Sequence, residues 1–390
     1  MNTSFPQPES DGLAHSALLV SFIQTLIIEN GGWINFAQFM DAALYTPGLG
    51  YYSGGAKKFG LSGDFVTASE ISPLFAQTIA RQVHQVLDAL QTKNKQCNIL
   101  ELGAGTGRFA KDLLLEMARL EHLPTRYMIL EVSAYLREVQ RNTLQAELPN
   151  TMMDRVVWLD ALPENFDGLI IANEVLDALP VHIIEKCVDG FMEIGVASTD
   201  GVLALKEKHG DSALLKDFVK QLNLEEGYTT EVCLMASGLV DSLANILRTG
   251  MLLIIDYGFS RSEYYHPQRN QGTLMCHYRH RSHGDPLIYL GLQDITAHVD
   301  FTRVAEAGVD RGLRLVGFLS QAQFLINAGI ANLLQSIPAN DSVNYLPLAA
   351  SAQRLLSPSE MGDLFKVIAF EKHLDLSFIG FSSGDKSHTL

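Results

Sequence analysis

Short apolar runs alternate with longer amphipathic segments along most of this 390-residue chain. The apolar runs have the length of buried strands and fall at 98–102, 127–131, 156–159, 168–172, 251–257, 313–318 and 365–370. Apolar residues recur at helical spacing between these runs, at 73–90, 107–120, 134–147, 239–247, 303–309 and 320–360. Strands that alternate with helices predict an α/β fold with a parallel sheet, right-handed crossovers and helices on both faces.

Two regions fall outside this alternation. Apolar spacing predicts one N-terminal helix over 16–30 and a second from Asn35, a capping residue, to Tyr45. We expect these helices to form a lid within residues 1–60. Residues 181–235 carry short alternating runs that predict hairpins inserted into a core of residues 61–318. Residues 319–390 would then supply C-terminal helices and the last strand of the sheet.

The first strand runs directly into a glycine turn, ELGAGTGR at 101–108, and a helical pattern follows at once. Glycine lets the backbone turn sharply and approach a ligand with no Cβ in the way. The helix N-terminus adds free N–H groups and partial positive charge. Because α/β folds use this arrangement to hold nucleotide-like ligands, the stretch predicts a cofactor-binding loop. A tight turn without any ligand is the alternative interpretation.

The spacing of the glycines separates two classes of cofactor. Gly103, Gly105 and Gly107 form GxGxG, whereas the dinucleotide fingerprint is GxGxxG. With Glu101 ahead of the loop and Glu131 at the end of the next strand, the pattern resembles the class I S-adenosylmethionine-dependent methyltransferases. The expected fold is therefore the Rossmann-like sheet of that class, and an NAD-dependent oxidoreductase is disfavoured.

This resemblance implies a role for each cofactor residue. The three glycines would contact the methionine end of S-adenosyl-L-methionine through their backbone, and Glu101 would order the loop. Glu131 can accept hydrogen bonds from both ribose hydroxyls. Asp160 ends the third strand, where this fold usually meets the adenine, although a plain turn acid is an equal alternative.

Seven sequence blocks narrow the resemblance to the MidA family of methyltransferases. They are FGLSGDFVTASEISPLF at 59–75, ELGAGTGRFA at 101–110, EVSAYLREVQ at 131–140, NEVLDALPVH at 173–182, DYG at 256–258, GTLMCHYRH at 272–280 and GLQDITAHVDF at 291–301. The chain departs from the family at Met275, where Arg is usual. This family includes a mitochondrial arginine methyltransferase required for respiratory complex I assembly, so the resemblance implies methylation of an arginine on a partner protein. It also implies that Asp64 closes over the methionine end of the cofactor.

Candidate catalytic residues follow the fourth strand, at the carboxyl edge of the sheet where α/β folds bind ligands. Asn173, Glu174 and Asp177 lie there, and a helix over 174–178 would place the two acids on one face. Paired carboxylates can bind a guanidinium through parallel hydrogen bonds and aim one nitrogen at the methyl group. Acids that stabilise a helix N-terminus are the alternative. Asp256, on the tail of the fifth strand, is a second candidate for the substrate.

Two segments that contain histidine offer further chemistry. His298 could relay or polarise a proton, or it could be a structural histidine. Cys276, His277, His280 and His283 suggest a metal, but their spacing fits no common zinc pattern and Tyr and Arg are interleaved. We therefore expect no metal here and interpret this segment as a substrate-facing loop.

Composition restricts the partners and the compartment. The net charge of −15 is unfavourable for nucleic-acid binding. Four scattered cysteines without a CxxC pair indicate a reducing compartment. The longest apolar stretches are short or interrupted, so we expect no membrane insertion. Because the first 80 residues contain no Arg, a transit peptide is disfavoured, and we expect a cytoplasmic protein. A homodimer remains open.

Together these observations predict an enzyme that uses S-adenosyl-L-methionine and methylates an arginine on a partner protein. Two alternatives remain at this point. One is a non-catalytic assembly factor that binds S-adenosyl-L-methionine, and the other is a small-molecule methyltransferase.

Overall fold

The computed structural model describes residues 6–54, 67–335 and 342–390. The chain forms two compact units, each assembled from three segments. The first unit comprises Met1–Phe65, Asp177–Ala236 and Ser262–His298. The second unit comprises Val66–Leu176, Ser237–Arg261 and Val299–Leu390. The N-terminal helices thus share a unit with the insertion predicted at 181–235.

An eight-stranded sheet forms the centre of the second unit. Seven of its strands lie in the order Arg314–Ser320, Phe365–Lys372, Leu247–Phe259, Phe166–Asn173, Asn98–Leu102, Tyr127–Leu130 and Val156–Leu159, and Val299–Asp300 pairs with the end of Leu247–Phe259. The five strands from Leu247–Phe259 to Val156–Leu159 are parallel, whereas Phe365–Lys372 is antiparallel to both of its neighbours. The predicted class I methyltransferase sheet is confirmed.

Helices cover both faces of this sheet. The helices of the second unit are Ala68–Ile71, Pro73–Thr92, Arg108–Arg119, Ala134–Glu147, Asn150–Met153, Phe301–Asp310, Gln321–Asn327, Ile330–Gln335 and Ser342–Leu356, with short 3₁₀ turns at Ile379–Phe381 and Ser387–Thr389. The helix Leu234–Ile246 also belongs to this unit from Ser237 onward. The central strands of the sheet are buried on both sides. The strand Asn98–Leu102, for example, has all of its five residues buried, as expected for a central parallel strand.

The first unit contains two antiparallel sheets. In the larger sheet, Gly190–Thr199 pairs with Val202–His209 along one edge and with His182–Cys187 and Trp33–Asn35 along the other, and Thr229–Val232 pairs with His182–Cys187. The smaller sheet has the order Arg281–His283, Met275–Tyr278 and Asp294–Thr296. The helices are Ser10–Glu29, Phe36–Tyr45, Ala213–Gln221 and, apart from its first residue, Arg261–Tyr264, with a 3₁₀ turn at Pro267–Arg269. The hairpins predicted in 181–235 are therefore present.

The two predicted N-terminal helices are also present. Asn35 caps Phe36–Tyr45 in a capping box with Gln38, whose backbone N–H donates to the Asn35 side chain at 2.8 Å. The first helix begins at Ser10 instead of residue 16 and ends at Glu29. It is long and apolar enough to cross a membrane, which the sequence argument did not expect. The finding rests on length and composition alone. Core helices of other proteins and signal sequences have the same two properties, so it does not assign this helix to a membrane.

Candidate functional site

The glycine loop has the backbone that only glycine adopts without strain. Gly103, Gly105 and Gly107 have φ values of 60°, 52° and 85°. A Cβ on Gly107 would lie 3.1 Å from the Cα of Gln140. A Cβ on Gly105 would meet no heavy atom within 4 Å among the residues that the structure describes. The loop is thus packed at Gly107 and open at Gly105, so its backbone can be approached there by a ligand.

An acid upstream of the loop holds its helical end. Thr106 donates its hydroxyl to Glu70 Oε1 at 2.5 Å, and Arg108 Nη1 donates to Glu70 Oε2 at 3.0 Å. The Glu70 side chain is 9% exposed and the Arg108 side chain 46% exposed, so only the Glu70 end of this ion pair is shielded from water. Glu70 lies in the block at 59–75 but is not among the site residues predicted from the sequence. Its position between the GDF motif at 63–65 and the helix Pro73–Thr92 is the one feature of the sequence that could have indicated a role for it.

Gln140 joins the glycine loop to the expected ribose acid. Its Nε2 donates to the carbonyl of Gly105 and to Glu131 Oε2, both at 3.0 Å. Its Oε1 accepts a hydrogen bond from Trp158 Nε1 at 2.9 Å. The side chain is fully buried, so each of these bonds forms away from water. Gln140 is a candidate site residue absent from the sequence prediction, since a glutamine inside an amphipathic helix gives no chemical signal.

Glu131 lies directly after the strand Tyr127–Leu130 and is 5% exposed. Burial raises the pKa of this carboxyl, while hydrogen bonds from Ser133 and Gln140 lower it. The Ser133 backbone N–H donates to Glu131 Oε1 at 2.9 Å. Its two oxygens are therefore fixed in orientation, one by the backbone and the other by Gln140.

Glu101 and Asp160 lie in opposite environments. The Tyr127 hydroxyl donates to Glu101 Oε2 at 2.7 Å, and burial raises the pKa of Glu101 to about 8. Glu101 thus faces the neighbouring strand, while its expected role in ordering the loop stays a prediction. The Asp160 side chain is 93% exposed and pairs with Arg137 Nη1 at 2.6 Å. Arg137 also donates to the carbonyls of Glu131 and Leu159, so it ties two strand ends together.

The chain after the fourth strand forms a turn, so the helix considered for 174–178 is wrong. Asp256 is fully buried, and its Oδ2 accepts the backbone N–H groups of Val175 at 3.1 Å and Leu176 at 2.8 Å. Glu174 has a φ of +55°, which few non-glycine residues adopt. A helical face shared by Glu174 and Asp177 therefore does not exist. The Asp256 side chain therefore holds the turn by binding the backbone N–H groups of Val175 and Leu176.

Asn173 and Glu174 remain together at the carboxyl end of the strand Phe166–Asn173. Glu174 Oε1 accepts hydrogen bonds from Asn173 Nδ2 at 3.2 Å and from the backbone N–H of Ala68 at 3.3 Å. Both side chains are partly exposed. A Cβ on Gly103 would lie 3.2 Å from the Val175 side chain, so the turn borders the glycine loop. The positive φ of Glu174 is a strained backbone conformation, and strain of this kind concentrates at functional sites.

The other expected site residues lie elsewhere. Asp177 and His298 belong to the first unit, where the Ala297 N–H donates to the carbonyl of Asp177 at 3.0 Å. The His298 N–H donates to Thr273 Oγ1 at 3.1 Å. Asp64 lies outside the residues that the structure describes.

The segment interpreted as a substrate-facing loop is a β-hairpin. Met275–Tyr278 pairs with Arg281–His283, and Cys276 is fully buried between its neighbours. Burial raises the pKa of the Cys276 thiol to about 12 and lowers the pKa of His277. A thiol that keeps its proton is a poor metal ligand.

The sheet order, the glycine turn and the buried acid after the second strand define an α/β protein of the kind that binds S-adenosyl-L-methionine. The sequence profile of a family of S-adenosyl-L-methionine-dependent methyltransferases matches residues 78–319, and the chain belongs to this family. The predicted MidA resemblance is thereby confirmed. S-adenosyl-L-methionine is the cofactor of the family, and the open backbone at Gly105 fits it.

Similar proteins support the same assignment. A Burkholderia thailandensis protein crystallised with S-adenosyl-homocysteine is 48% identical, covers 99% of this chain and 100% of its own, and has a TM-score of 0.95. The protein arginine methyltransferase NDUFAF7 of Danio rerio is 28% identical, over 86% of this chain and 82% of its own. The human NDUFAF7 is 27% identical, over 89% of this chain and 82% of its own.

The names of these relatives overturn one expectation. The NDUFAF7 proteins of Danio rerio and Homo sapiens are named mitochondrial, so the predicted cytoplasmic location is wrong. The prediction of a cytoplasmic protein relied on the four scattered cysteines and on the absence of Arg from the first 80 residues. Scattered cysteines fit any reducing compartment, so they could not distinguish the cytoplasm from another one.

Proposed function

We propose that this chain methylates an arginine side chain of a partner protein. The observation that supports this proposal is Glu174, held in a left-handed conformation where the turn after the fourth strand borders the glycine loop. A carboxylate there suits a cationic guanidinium, and the relatives named protein arginine methyltransferase act on that class of substrate. The residues assigned to substrate and cofactor below are part of the proposal.

On the cofactor side, the chain supplies binding and orientation. Glu131 accepts the ribose hydroxyls, and the backbone at Gly103, Gly105 and Gly107 lies against the methionine end. Asp160 would border the adenine. Bound S-adenosyl-L-methionine supplies an electrophilic methyl group on a sulfonium. Because methyl transfer is an in-line displacement, the chain contributes mainly by positioning.

On the substrate side, Glu174 binds the guanidinium through charge-assisted hydrogen bonds and aims one nitrogen at the methyl group. Asn173 Oδ1 is buried without a hydrogen bond to any residue that the structure describes, which leaves an acceptor beside Glu174. Asp177, as a second carboxylate, and His298, as a proton acceptor, stay separate candidates within the first unit. Asp256 acts indirectly, because it fixes the turn that carries Glu174.

The first experiment compares Glu174→Gln with wild type in cells deleted for the gene. The substitution removes the charge and keeps the shape of the side chain. We expect wild type to restore methylated arginines detectable by mass spectrometry, and Glu174→Gln to reduce them about 100-fold. S-adenosyl-homocysteine should bind both purified proteins equally in calorimetric titrations. Glu164→Gln, at an exposed position, is the matched control.

Two outcomes would contradict the proposal. Full activity of Glu174→Gln would give Glu174 a structural role and move substrate binding elsewhere. Deletion without any loss of methylated arginine, in a protein that still binds S-adenosyl-homocysteine, would favour the non-catalytic assembly factor or a small-molecule acceptor.

A further inference from the structure

Two histidines and an aspartate of the second unit face one another. His84 and Asp88 are four residues apart on the helix Pro73–Thr92, so they share one face. His122 lies in the connection that follows the helix Arg108–Arg119. His84 Nδ1 is 3.2 Å from Asp88 Oδ2, and His122 Nδ1 is 2.7 Å from Asp88 Oδ1. The three side chains thus offer three ligand atoms within 4.8 Å of one another.

The backbone fixes the position of His122. The N–H groups of Glu121 and His122 donate to the carbonyls of Ala118 at 3.0 Å and Met117 at 2.9 Å. Glu121 has a φ of +58°, so the chain reverses over the end of the helix. His122 is therefore held toward Asp88 by the helix end and does not depend on the Asp88 contact alone.

The geometry is close to that of a metal site. A tetrahedral ion with ligand distances of about 2.0–2.2 Å places its ligand atoms about 3.3–3.6 Å apart. The distance of 3.2 Å between His84 Nδ1 and Asp88 Oδ2 is near that range. The distance of 2.7 Å between His122 Nδ1 and Asp88 Oδ1 is shorter, so these two groups would have to separate by about 0.6 Å to share an ion. The Asp88 side chain is 52% exposed, while that of His122 is 13% exposed. An ion can thus enter from the Asp88 side, and water can complete its coordination.

We propose that His84, Asp88 and His122 bind a divalent transition-metal ion, with Zn²⁺ as the first candidate. Two imidazoles and one carboxylate suit zinc and its neighbours, whereas Mg²⁺ and Ca²⁺ prefer oxygen ligands. Each neutral imidazole would bind through Nδ1 and carry its proton on Nε2. The ion would join the helix Pro73–Thr92 to the connection that enters the strand Tyr127–Leu130. Its role is structural, since none of its ligands is assigned to cofactor or substrate.

To test the proposal, the full chain is freed of metals with EDTA and titrated with ZnSO₄ in a calorimeter. We expect one ion per chain by calorimetry, and binding at least tenfold weaker in Asp88→Asn and in His122→Ala. Asp88→Asn is informative because it keeps the side-chain shape and removes the anionic ligand. His209→Ala, which removes an exposed histidine of the strand Val202–His209, is the matched control and should bind normally. MgSO₄ should give no comparable binding.

Two further measurements make the outcome decisive. Zn²⁺ should raise the Tm of wild type and leave that of Asp88→Asn unchanged, because an ion that binds only the folded state stabilises it. Co²⁺ should show the visible absorption of a site with nitrogen ligands in wild type alone. Unchanged zinc affinity in both variants would place the ion elsewhere, and no binding to wild type would leave a hydrogen-bonded triad. S-adenosyl-homocysteine titrations of the same variants separate this result from the proposed function.

Discussion

At the residue scale, two glycines of the loop share a left-handed backbone but have different surroundings. A side chain at either position costs roughly 1–2 kcal/mol from backbone strain. Gly107→Ala adds a tight contact, because its Cβ would lie 3.1 Å from the backbone Cα of Gln140, which would have to shift by a few tenths of an ångström. Gly105→Ala places its methyl group where the cofactor is expected. We therefore expect Gly107→Ala to lower the free energy of unfolding more, and Gly105→Ala to weaken S-adenosyl-homocysteine binding at least tenfold while staying folded.

Urea denaturation and calorimetric titration of the two variants measure these effects separately. The comparison is internally controlled, since both substitutions add the same methyl group to the same kind of backbone. Wild-type affinity in Gly105→Ala would mean that the ligand does not approach the loop at this position.

Gln140 gives a second prediction at the same scale. Its hydrogen bond lowers the pKa of Glu131, so Gln140→Leu should raise that pKa. In the role proposed for it, Glu131 must be ionised to accept hydrogen bonds from both ribose hydroxyls. The acidic limit of S-adenosyl-homocysteine binding should therefore move to higher pH in the variant, with weaker binding at every pH. Arg137 and Glu101 also act on Glu131 and are unchanged by this substitution.

Calorimetric affinities measured between about pH 5 and pH 8 test this shift. Glu138→Gln, an exposed position on the same helix, is the control and should leave the profile unchanged. A uniform loss of affinity without a shift in pH would assign Gln140 to packing alone.

Glu101 predicts a pH dependence of stability. Burial raises its pKa from 4.5 to about 8, so the folded chain retains a proton that the unfolded chain loses. Stability contributed by this group therefore falls as pH rises through that window, by at most about 1.4 kcal/mol for each pH unit. Glu101→Gln is neutral in both states. Its free energy of unfolding relative to wild type should rise between about pH 5 and pH 8, as measured by urea denaturation.

The exposed substitution Glu164→Gln should show no such trend and serves as the control. A difference between Glu101→Gln and wild type that stays constant with pH would mean that Glu101 is ionised in the folded protein.

At the element scale, the hairpin at Met275–His283 explains one limit of the sequence argument. Tyr278 pairs with Arg281, which leaves a two-residue turn, and both Arg279 and His280 have positive φ. Asn-Gly is the usual sequence of such a turn, so Arg-His carries no turn signal. Replacing Arg279 with Asn and His280 with Gly should stabilise the protein by about 1 kcal/mol, seen as a higher Tm.

The same double substitution at residues whose φ is negative would be expected to destabilise. Lys216→Asn with Asp217→Gly, in the helix Ala213–Gln221, is therefore the opposite control. A lower Tm for the hairpin variant would show that Arg279 or His280 contributes a contact larger than the relief of strain.

The repeating part of the fold was predictable because burial imposes a pattern on the sequence. The strands Asn98–Leu102 and Val156–Leu159 and the helix Ala134–Glu147 have the predicted bounds. The turn at 174–176 was not predictable, because it depends on Asp256, about 80 residues away in the chain. The glycine loop and the position of Glu131 at the end of a strand follow from local sequence. The roles of Glu70 and Gln140 depend on hydrogen bonds to residues that are distant in the chain, so local sequence does not predict them.

At the scale of the whole molecule, the three segments of each unit alternate along the chain. Each unit nevertheless has apolar clusters of its own, and the residues proposed to bind the cofactor, Gly103–Gly107 and Glu131, lie in the second unit. Global unfolding exposes every amide of both units, whereas local opening exposes only nearby ones. The effect of a ligand on hydrogen exchange therefore reports where it binds.

We expect S-adenosyl-homocysteine to slow hydrogen exchange most in peptides covering 101–110 and 131–140, where the loop, Glu131 and Gln140 lie. Peptides covering 190–209 of the first unit's sheet provide the internal reference, since they contain no residue assigned to the cofactor. At a ligand concentration 100-fold above Kd, binding adds about 2.7 kcal/mol to global stability, which slows only those amides that exchange through global unfolding. Exchange measured at short times by mass spectrometry isolates the local effect. Equal slowing in both sets of peptides would mean that the loop opens only when the whole chain unfolds, and slowing confined to 190–209 would place the cofactor outside the glycine loop.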